Sequence, residues 1–103
     1  MSVTVVDASA IAAVVFDEPE AAPLIASVTG ALIAPGLLRY GLLARLAVDY
    51  AEPDWESLPL LARQWEISAY DAAYLQLALG RKAPLVTLDS RLAKAYDRAA
   101  ANA

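Results

Sequence analysis

The sequence predicts an α/β fold, with three layers in which a short parallel sheet is flanked by helices. Short apolar runs recur at Val3–Val6, Ala31–Ala34 and Leu85–Leu88, and the first of them consists of β-branched residues. Such runs are typical of strands that are buried on both faces of a parallel sheet. Segments with helical spacing separate these runs, as right-handed crossover connections require. The apolar share of 59% lies above the usual roughly 45–50% and indicates several buried elements.

The first half of the chain reads as a strand, two helices, a strand and a longer helix. Helix formers with apolar spacing follow the first strand over Ala8–Phe16, and Asp17–Glu20 ends this helix and opens another through about Val28. After the second strand, Pro35 suits the first turn of a helix predicted from about Gly36 to Ala51. Gly41 lies inside this helix, where glycine costs about 1 kcal/mol relative to alanine.

The second half predicts three helices and the last strand. Ser57 is a candidate N-cap for a short helix through Trp65, and Ser68 for an apolar helix over residues 72–79 that Gly80 closes. The strand at Leu85–Leu88 precedes a final helix from about Ser90 to Ala101.

Length and composition narrow the classes of protein. A chain of 103 residues fits one domain, taken as residues 1–103. No apolar stretch approaches the ~20 residues that span a bilayer, and the first residues do not resemble a signal peptide, so we expect a cytoplasmic protein without a membrane partner. The high apolar share of so short a chain predicts a homodimer. The absence of Cys and His excludes Cys/His zinc sites and catalytic groups that need either residue.

Three acidic residues are candidates for one site. Asp7 and Asp89 each follow a strand-like run, and Asp71 lies in the first turn of a helix. Ligands of open α/β sheets bind beyond the carboxyl ends of the strands, where these side chains can meet. Clustered carboxylates repel one another unless a cation compensates them, so neutralising Asp7 or Asp89 is expected to raise stability without metal. Oxygen ligands suit Mg²⁺ or Mn²⁺, and phosphodiester hydrolysis is a natural reaction for such a site.

Helix capping is the competing interpretation of the same acids. Asp71 follows Ser68 in the S-x-x-D pattern of a capping box and also suits the positive end of the helix dipole. Asp7 and Asp89 can each cap the helix that follows, although Ser9 and Ser90 offer the same service.

Basic residues form a second candidate site on the last helix. Arg91, Lys94 and Arg98 recur at positions i, i+3 and i+7, which places them on one face just after Asp89. They are candidate RNA-binding residues that would contact phosphates. The alternative is an ordinary solvated helix face.

Three motifs, in this order, resemble those of PIN domains. Residues 5–11 read VVDASAI, residues 68–78 read SAYDAAYLQLA and residues 85–92 read LVTLDSRL. Residues 34–40, APGLLRY, are similar to the start of the helix that carries the second acid of the family. The resemblance, to PIN-domain ribonucleases of the VapC toxin type, implies a PIN-like fold. It also implies a Mg²⁺-dependent endoribonuclease that an antitoxin holds in check, with Asp7, Asp71 and Asp89 as catalytic metal ligands.

Two departures from the family pattern keep a second hypothesis open. The family has a Glu where this chain has Gly41, and the segment between Arg45 and Leu60 is shorter than the family's helical hairpin. One hypothesis is a Mg²⁺- or Mn²⁺-dependent ribonuclease impaired at Gly41. The alternative is a catalytically silent PIN-like binding or scaffold domain. A response-regulator-like domain is a weaker rival, since Asp89-Ser90 does not supply the Lys that such a site needs after a late strand.

Overall fold

The described part of the chain is a mixed α/β fold around one parallel sheet. The computed structural model describes residues 3–15, 19, 23, 31–35 and 49–102. Within these residues the strands are β1 (Val3–Val6), β2 (Ala31–Pro35), β3 (Asp49–Ala51) and β4 (Leu85–Val86). They are ordered β3-β2-β1-β4, and each neighbouring pair is parallel. The predicted short parallel sheet is confirmed for this part of the chain.

Four helices longer than one turn are described alongside the sheet. They are α1 (Ala8–Val15), α2 (Leu58–Trp65), α3 (Ala69–Arg81) and α4 (Ser90–Ala101). Helix α3 is central, because it packs against α2, α4 and the strands β1, β2 and β4. Val5, Leu75 and Leu92 are fully buried and anchor the core from β1, α3 and α4. Burial of such side chains typically stabilises a fold by about 1.5–3 kcal/mol each.

The position of β1 explains its β-branched sequence. β1 lies between β2 and β4, with Val5 in register with Ile33 on one side and Leu85 on the other. A strand with neighbours on both sides and a covered face is best filled by Val and Thr, which suit a pleated, packed surface. Immediately after β1, the Asp7 N–H donates to the Val86 carbonyl at 3.3 Å. The backbone therefore holds Asp7 beside the carboxyl end of β4.

The two predicted serine caps differ in the structure. The Ser68 hydroxyl accepts the Asp71 N–H at 3.0 Å, which confirms it as the N-cap of α3. Ser57 occupies the N-cap position of α2 but accepts no capping hydrogen bond, and its hydroxyl donates to the Asp54 carboxylate instead. Asp54 in turn exchanges two backbone hydrogen bonds with the Gln76 side chain, at 2.9 and 3.0 Å. The connection before α2 is thus fastened to α3.

Four predicted boundaries are wrong. Pro35, predicted in the first turn of a helix, is the last residue of β2, where it is in register with Ala51. The helix predicted to run to Ala51 gives way to β3 at residues 49–51, because Tyr50 and its neighbours pair with β2. The last strand ends at Val86 rather than Leu88, since only its first two residues pair with β1. Helix α3 continues past Gly80, and Lys82 closes it in the left-handed conformation with φ of 51°. The helices predicted over residues 18–28 and 36–48, including Gly41, lie outside the described residues.

The observed end of α3 predicts the direction in which two substitutions change the free energy of unfolding. A Cβ built on Gly80 meets nothing within 4 Å, so Gly80→Ala should raise the free energy of unfolding by about 0.5–1 kcal/mol through helix propensity. Lys82→Gly should also stabilise, by relieving a left-handed backbone that disfavours a Cβ. Urea unfolding of the three proteins measures both effects. A destabilised Gly80→Ala variant would show that Gly80, and not Lys82, is the cap.

Candidate functional site

The three acids singled out from the sequence line one cleft. Asp7 follows β1, Asp71 lies in the first turn of α3, and Asp89 precedes α4. Together with Ala8, Ser9, Tyr70 and Tyr74 they surround a cleft of about 360 Å³. We call it the acidic cleft. It lies beyond the carboxyl ends of β1 and β4, where the sequence placed it.

Asp7 is the buried member and is held by three donors. Its Oδ1 accepts the Ser9 hydroxyl at 2.7 Å and the Ala10 N–H at 3.1 Å, and its Oδ2 accepts the Thr87 hydroxyl. The side chain is only 4% exposed. Each of these hydrogen bonds goes to a carboxylate and is therefore stronger than one between neutral groups. The geometry fixes the rotamer of Asp7 and ties α1 to the end of β4.

Asp89 is exposed and caps α4. Its Oδ1 accepts the backbone N–H groups of Arg91 at 2.9 Å and Leu92 at 3.2 Å. Both of these hydrogen bonds fall on the same carboxylate oxygen. The Asp89 N–H donates to the Thr87 hydroxyl at 2.9 Å. Thr87 therefore joins Asp7 to Asp89.

Capping and clustering hold at the same time for these acids. Asp7 and Asp89 do cap α1 and α4, and Ser9 does not replace Asp7 but donates to it. The capping interpretation is thus confirmed in geometry, yet the same two carboxylates still line the cleft with Asp71. A carboxylate offers about four lone-pair sites, so a capping bond leaves acceptor capacity for a ligand.

Asp71 has a perturbed pKa. Partial burial raises its pKa above the ordinary 3.8, and the negative charges of Asp89 and Asp7 raise it further. A hydrogen bond with Ser68 and the positive charge of Arg91 act in the opposite direction. The two Coulombic contributions place Asp71 within electrostatic range of both other carboxylates.

The raised pKa of Asp71 predicts a pH dependence of stability. A folded-state pKa above the unfolded value of 3.8 means that the folded chain binds more protons, so stability falls as pH rises through this window. Asp71→Asn removes that loss. In metal-free buffer, the melting temperature of the variant relative to the parent should therefore increase between acidic and neutral pH. A difference that does not change with pH would contradict the raised pKa of Asp71.

Tyr74 provides a hydroxyl at the wall of the acidic cleft. Burial raises its pKa to about 12, the charge of Asp7 contributes in the same direction, and a hydrogen bond with the Ala8 backbone opposes them. The phenol therefore stays protonated at neutral pH and can donate a hydrogen bond. Tyr70, by contrast, is 68% exposed at the rim of the cleft.

The acidic cleft has oxygen ligands suited to Mg²⁺ or Mn²⁺, but they are not gathered into a compact ligand set. Within residues 3–15 and 49–102, no three His, Cys, Asp or Glu side chains form a group that could hold a metal ion. Mg²⁺ usually keeps several waters and takes only one or two carboxylates directly. A shared ion in this cleft would therefore contact some of the three acids through water.

The three basic residues also line one cleft, together with residues from the end of α2. Arg91, Lys94 and Arg98 surround a cleft of about 370 Å³ with Ala95 and with Trp65 and Glu66 from the end of α2. We call it the basic cleft. The Arg98 guanidinium lies 5.9 Å from the centre of the Trp65 ring, within cation–π range. The predicted common face of these side chains is confirmed, whereas RNA binding by them stays a prediction.

Sequence reasoning missed the roles of Ser9 and Thr87. The sequence predicts a helix cap for Ser9 and a strand position for Thr87. Because β4 ends at Val86, the Thr87 side chain is free to reach Asp7, and the Ser9 hydroxyl accepts the Leu88 N–H at 2.9 Å. The available signal was spacing, since a hydroxyl residue lies two positions from each acid, in D-x-S and T-x-D.

No protein-family model and no curated protein matches this chain. The resemblance to PIN domains therefore depends on the motifs themselves. Among the described residues, no helix is both long enough and apolar enough to cross a membrane.

Proposed function

We propose that this chain is a Mg²⁺- or Mn²⁺-dependent endoribonuclease of the VapC toxin type, with a PIN-like three-layer fold. The observation that supports this proposal best is the meeting of Asp7, Asp71 and Asp89 in one cleft. These acids come from three separate motifs, and the pKa of Asp71 is raised by burial and, further, by the charges of the other two. A perturbed carboxylate in a cleft is a candidate functional residue on physical grounds.

The residues of the acidic cleft would have different roles in phosphodiester hydrolysis. Asp7, Asp71 and Asp89 would hold the cation, directly or through water, and its charge would offset their mutual repulsion. When bound, such a cation supplies Lewis acidity for the attack of water on phosphorus. Ser9 and Thr87 keep Asp7 oriented, as the outer partners of metal ligands commonly do. The Tyr74 hydroxyl is a protonated donor that suits a phosphate oxygen.

The proposed partners follow from the resemblance and from composition. RNA is the substrate, a cognate antitoxin protein is the regulator, and a homodimer is the expected assembly, all in the cytoplasm. Two large apolar side chains near the start of α2 are exposed, Trp55 by 50% and Leu60 by 70%. Such side chains favour protein contacts at this end of the molecule.

Metal-dependent cleavage of RNA tests the proposal. The purified chain, incubated with a fluorescently labelled RNA of mixed sequence and Mn²⁺, should produce discrete fragments, and excess EDTA should stop the reaction. Mg²⁺ added beyond the EDTA should restore it. Cleavage that persists in EDTA would contradict the proposal. The absence of cleavage with both Mg²⁺ and Mn²⁺ would contradict it as well.

A silent PIN-like binding or scaffold domain is the second candidate function, and Gly41 is the observation that favours it. By the motif resemblance, Gly41 occupies the position of a metal-binding Glu. A site with three acids rather than four would bind its cation more weakly. Gly41 lies outside the described residues, so this argument depends on the sequence alone.

Restoring the missing acid tests whether position 41 belongs to the acidic cleft. Gly41→Glu should tighten Mn²⁺ binding and raise RNA cleavage by about 10-fold or more, since a ligand contributes at least as much as its outer partners. Gly41→Gln fills a similar volume without the charge and is the matched control. In the helix that the sequence predicts for this segment, either residue should stabilise relative to glycine by up to about 1 kcal/mol. For Glu in metal-free buffer, repulsion from Asp7, Asp71 and Asp89 opposes this gain, so the net effect can have either sign. Equal metal binding by the two variants would show that position 41 does not face the acidic cleft.

A further inference from the structure

The basic cleft combines positive charge with an aromatic ring in an acidic protein. The chain has a net charge of −4, yet three of its eight Lys and Arg residues line this single cleft. Glu66 is the one acid among the lining residues, which leaves the cleft with a positive balance. A local positive field on an otherwise acidic surface attracts anions selectively to that place.

Trp65 is placed to contribute more than packing. Its ring is partly buried against the core and its remaining surface lines the cleft under the Arg98 guanidinium. A nucleobase can stack on an indole face, and arginine can take part in the same stack. Charge for phosphates and a ring for a base are the two features that single-stranded nucleic-acid sites combine.

Arg91 connects the basic cleft to the acidic cleft. It lines the basic cleft, its backbone N–H donates to Asp89, and its positive charge partly opposes the rise in the pKa of Asp71. From Arg91 to Arg98 the helix rises about 10 Å, so the basic side chains form a path that leads away from Asp89. A strand whose backbone enters the acidic cleft would meet Arg91 first and Trp65 and Arg98 farther along.

We infer that the basic cleft is a binding subsite for a single-stranded RNA, in which Arg91, Lys94 and Arg98 contact phosphates and Trp65 stacks on an unpaired base. The choice of RNA as the ligand rests on the proposed function. The subsite positions the strand and takes no part in the chemical step. Its occupation does not require the metal, so binding can be measured when cleavage is blocked.

Fluorescence anisotropy of a short labelled oligouridine RNA in EDTA tests this subsite. Arg98→Gln and Trp65→Leu should each raise the Kd about 10-fold, the size expected for loss of one stacked base or its cationic partner. Arg98→Gln should also reduce the slope of log K against log salt by about 0.7. Arg81→Gln and Trp55→Leu are matched controls outside the cleft, and each should change the Kd less than about twofold.

Three outcomes would overturn the subsite. The first is that the cleft variants and the controls weaken RNA binding equally. The second is that duplex RNA binds as tightly as the single strand. The third is that poly-glutamate displaces the RNA at equal charge concentration. If Trp65→Leu unfolds, as circular dichroism would show, the exposed Arg98 still carries the test. If RNA binds as predicted but is not cleaved with metal, the proposed function fails and the subsite stands. If RNA is cleaved but the cleft variants bind it as tightly as the parent, the subsite fails and the proposed function stands.

Discussion

Asp71→Asn and Asp89→Asn should each reduce Mn²⁺-dependent RNA cleavage by at least about 100-fold while the chain stays folded. Loss of an outer partner of a metal ligand already costs about 10- to 100-fold, and loss of a ligand should cost no less. Asparagine is as good an N-cap as aspartate, so Asp89→Asn keeps α4 capped. Asp71 donates its backbone N–H to Ser68, and this cap does not depend on its carboxylate.

Asp97→Asn is the matched control for these two variants. Asp97 is exposed on α4, the helix that Asp89 caps, but does not line the acidic cleft. Its substitution changes the net charge by the same amount and should leave cleavage unchanged. All variants are purified identically, so a contaminating nuclease would cleave equally in every sample. Equal rates across the set would therefore contradict catalysis by the acidic cleft.

Asp7→Asn should lower the free energy of unfolding by about 2 kcal/mol in metal-free buffer, in addition to abolishing cleavage. Three donors converge on the two carboxylate oxygens of Asp7, and an amide has only one oxygen. The amide oxygen can keep the bonds from Ser9 and Ala10, but its NH₂ group then faces the Thr87 hydroxyl, which must turn from donor to acceptor. Hydrogen bonds to a charged group typically contribute about 1.5–3 kcal/mol each, and their replacement by neutral bonds accounts for the loss.

The contrast with Asp89→Asn isolates the cause of that loss. Both substitutions remove one negative charge from the acidic cleft, but Asp89 is exposed and its capping role survives. We expect Asp89→Asn to change the free energy of unfolding by less than about 0.5 kcal/mol. Urea denaturation of both variants without metal measures the difference. A stabilised Asp7→Asn variant would show that repulsion outweighs the hydrogen bonds.

Both expectations differ from the stabilisation that the sequence predicts for neutralising either acid. The hydrogen bonds of Asp7 reverse the direction of its effect, and the exposure of Asp89 makes its effect small. Repulsion between nearby acids can be anticipated from their positions after strands, as it was for Asp7, Asp71 and Asp89. The donors around Asp7 cannot be anticipated in the same way, because Thr87 lies eighty residues away in sequence. Its side chain reaches Asp7 from the residue that follows the end of β4 at Val86. Long-range hydrogen bonds depend on such boundaries, which periodicity predicts poorly.

The fold was predictable where local signals and burial agreed. The β-branched run of β1, the Ser68 cap and the bounds of α2 and α4 all follow from periodicity and capping chemistry. Strand β3 was missed because Asp49–Ala51 has neither alternation nor β-branched residues, and its pairing with β2 decides its conformation. Glycine commonly ends a helix, so the sequence predicts that α3 ends at Gly80. In the structure, Lys82 adopts the left-handed conformation two residues later.

Mn²⁺ binding followed by electron paramagnetic resonance tests most directly whether Asp7, Asp71 and Asp89 form one metal site. The signal of free Mn²⁺ falls as the ion binds, which gives a stoichiometry and a Kd without RNA. We predict one site per chain, weakened at least about 10-fold by Asp71→Asn and by Asp89→Asn and unchanged by Asp97→Asn. Equal binding by these three variants and the parent, or no saturable binding by the parent, would contradict a shared site.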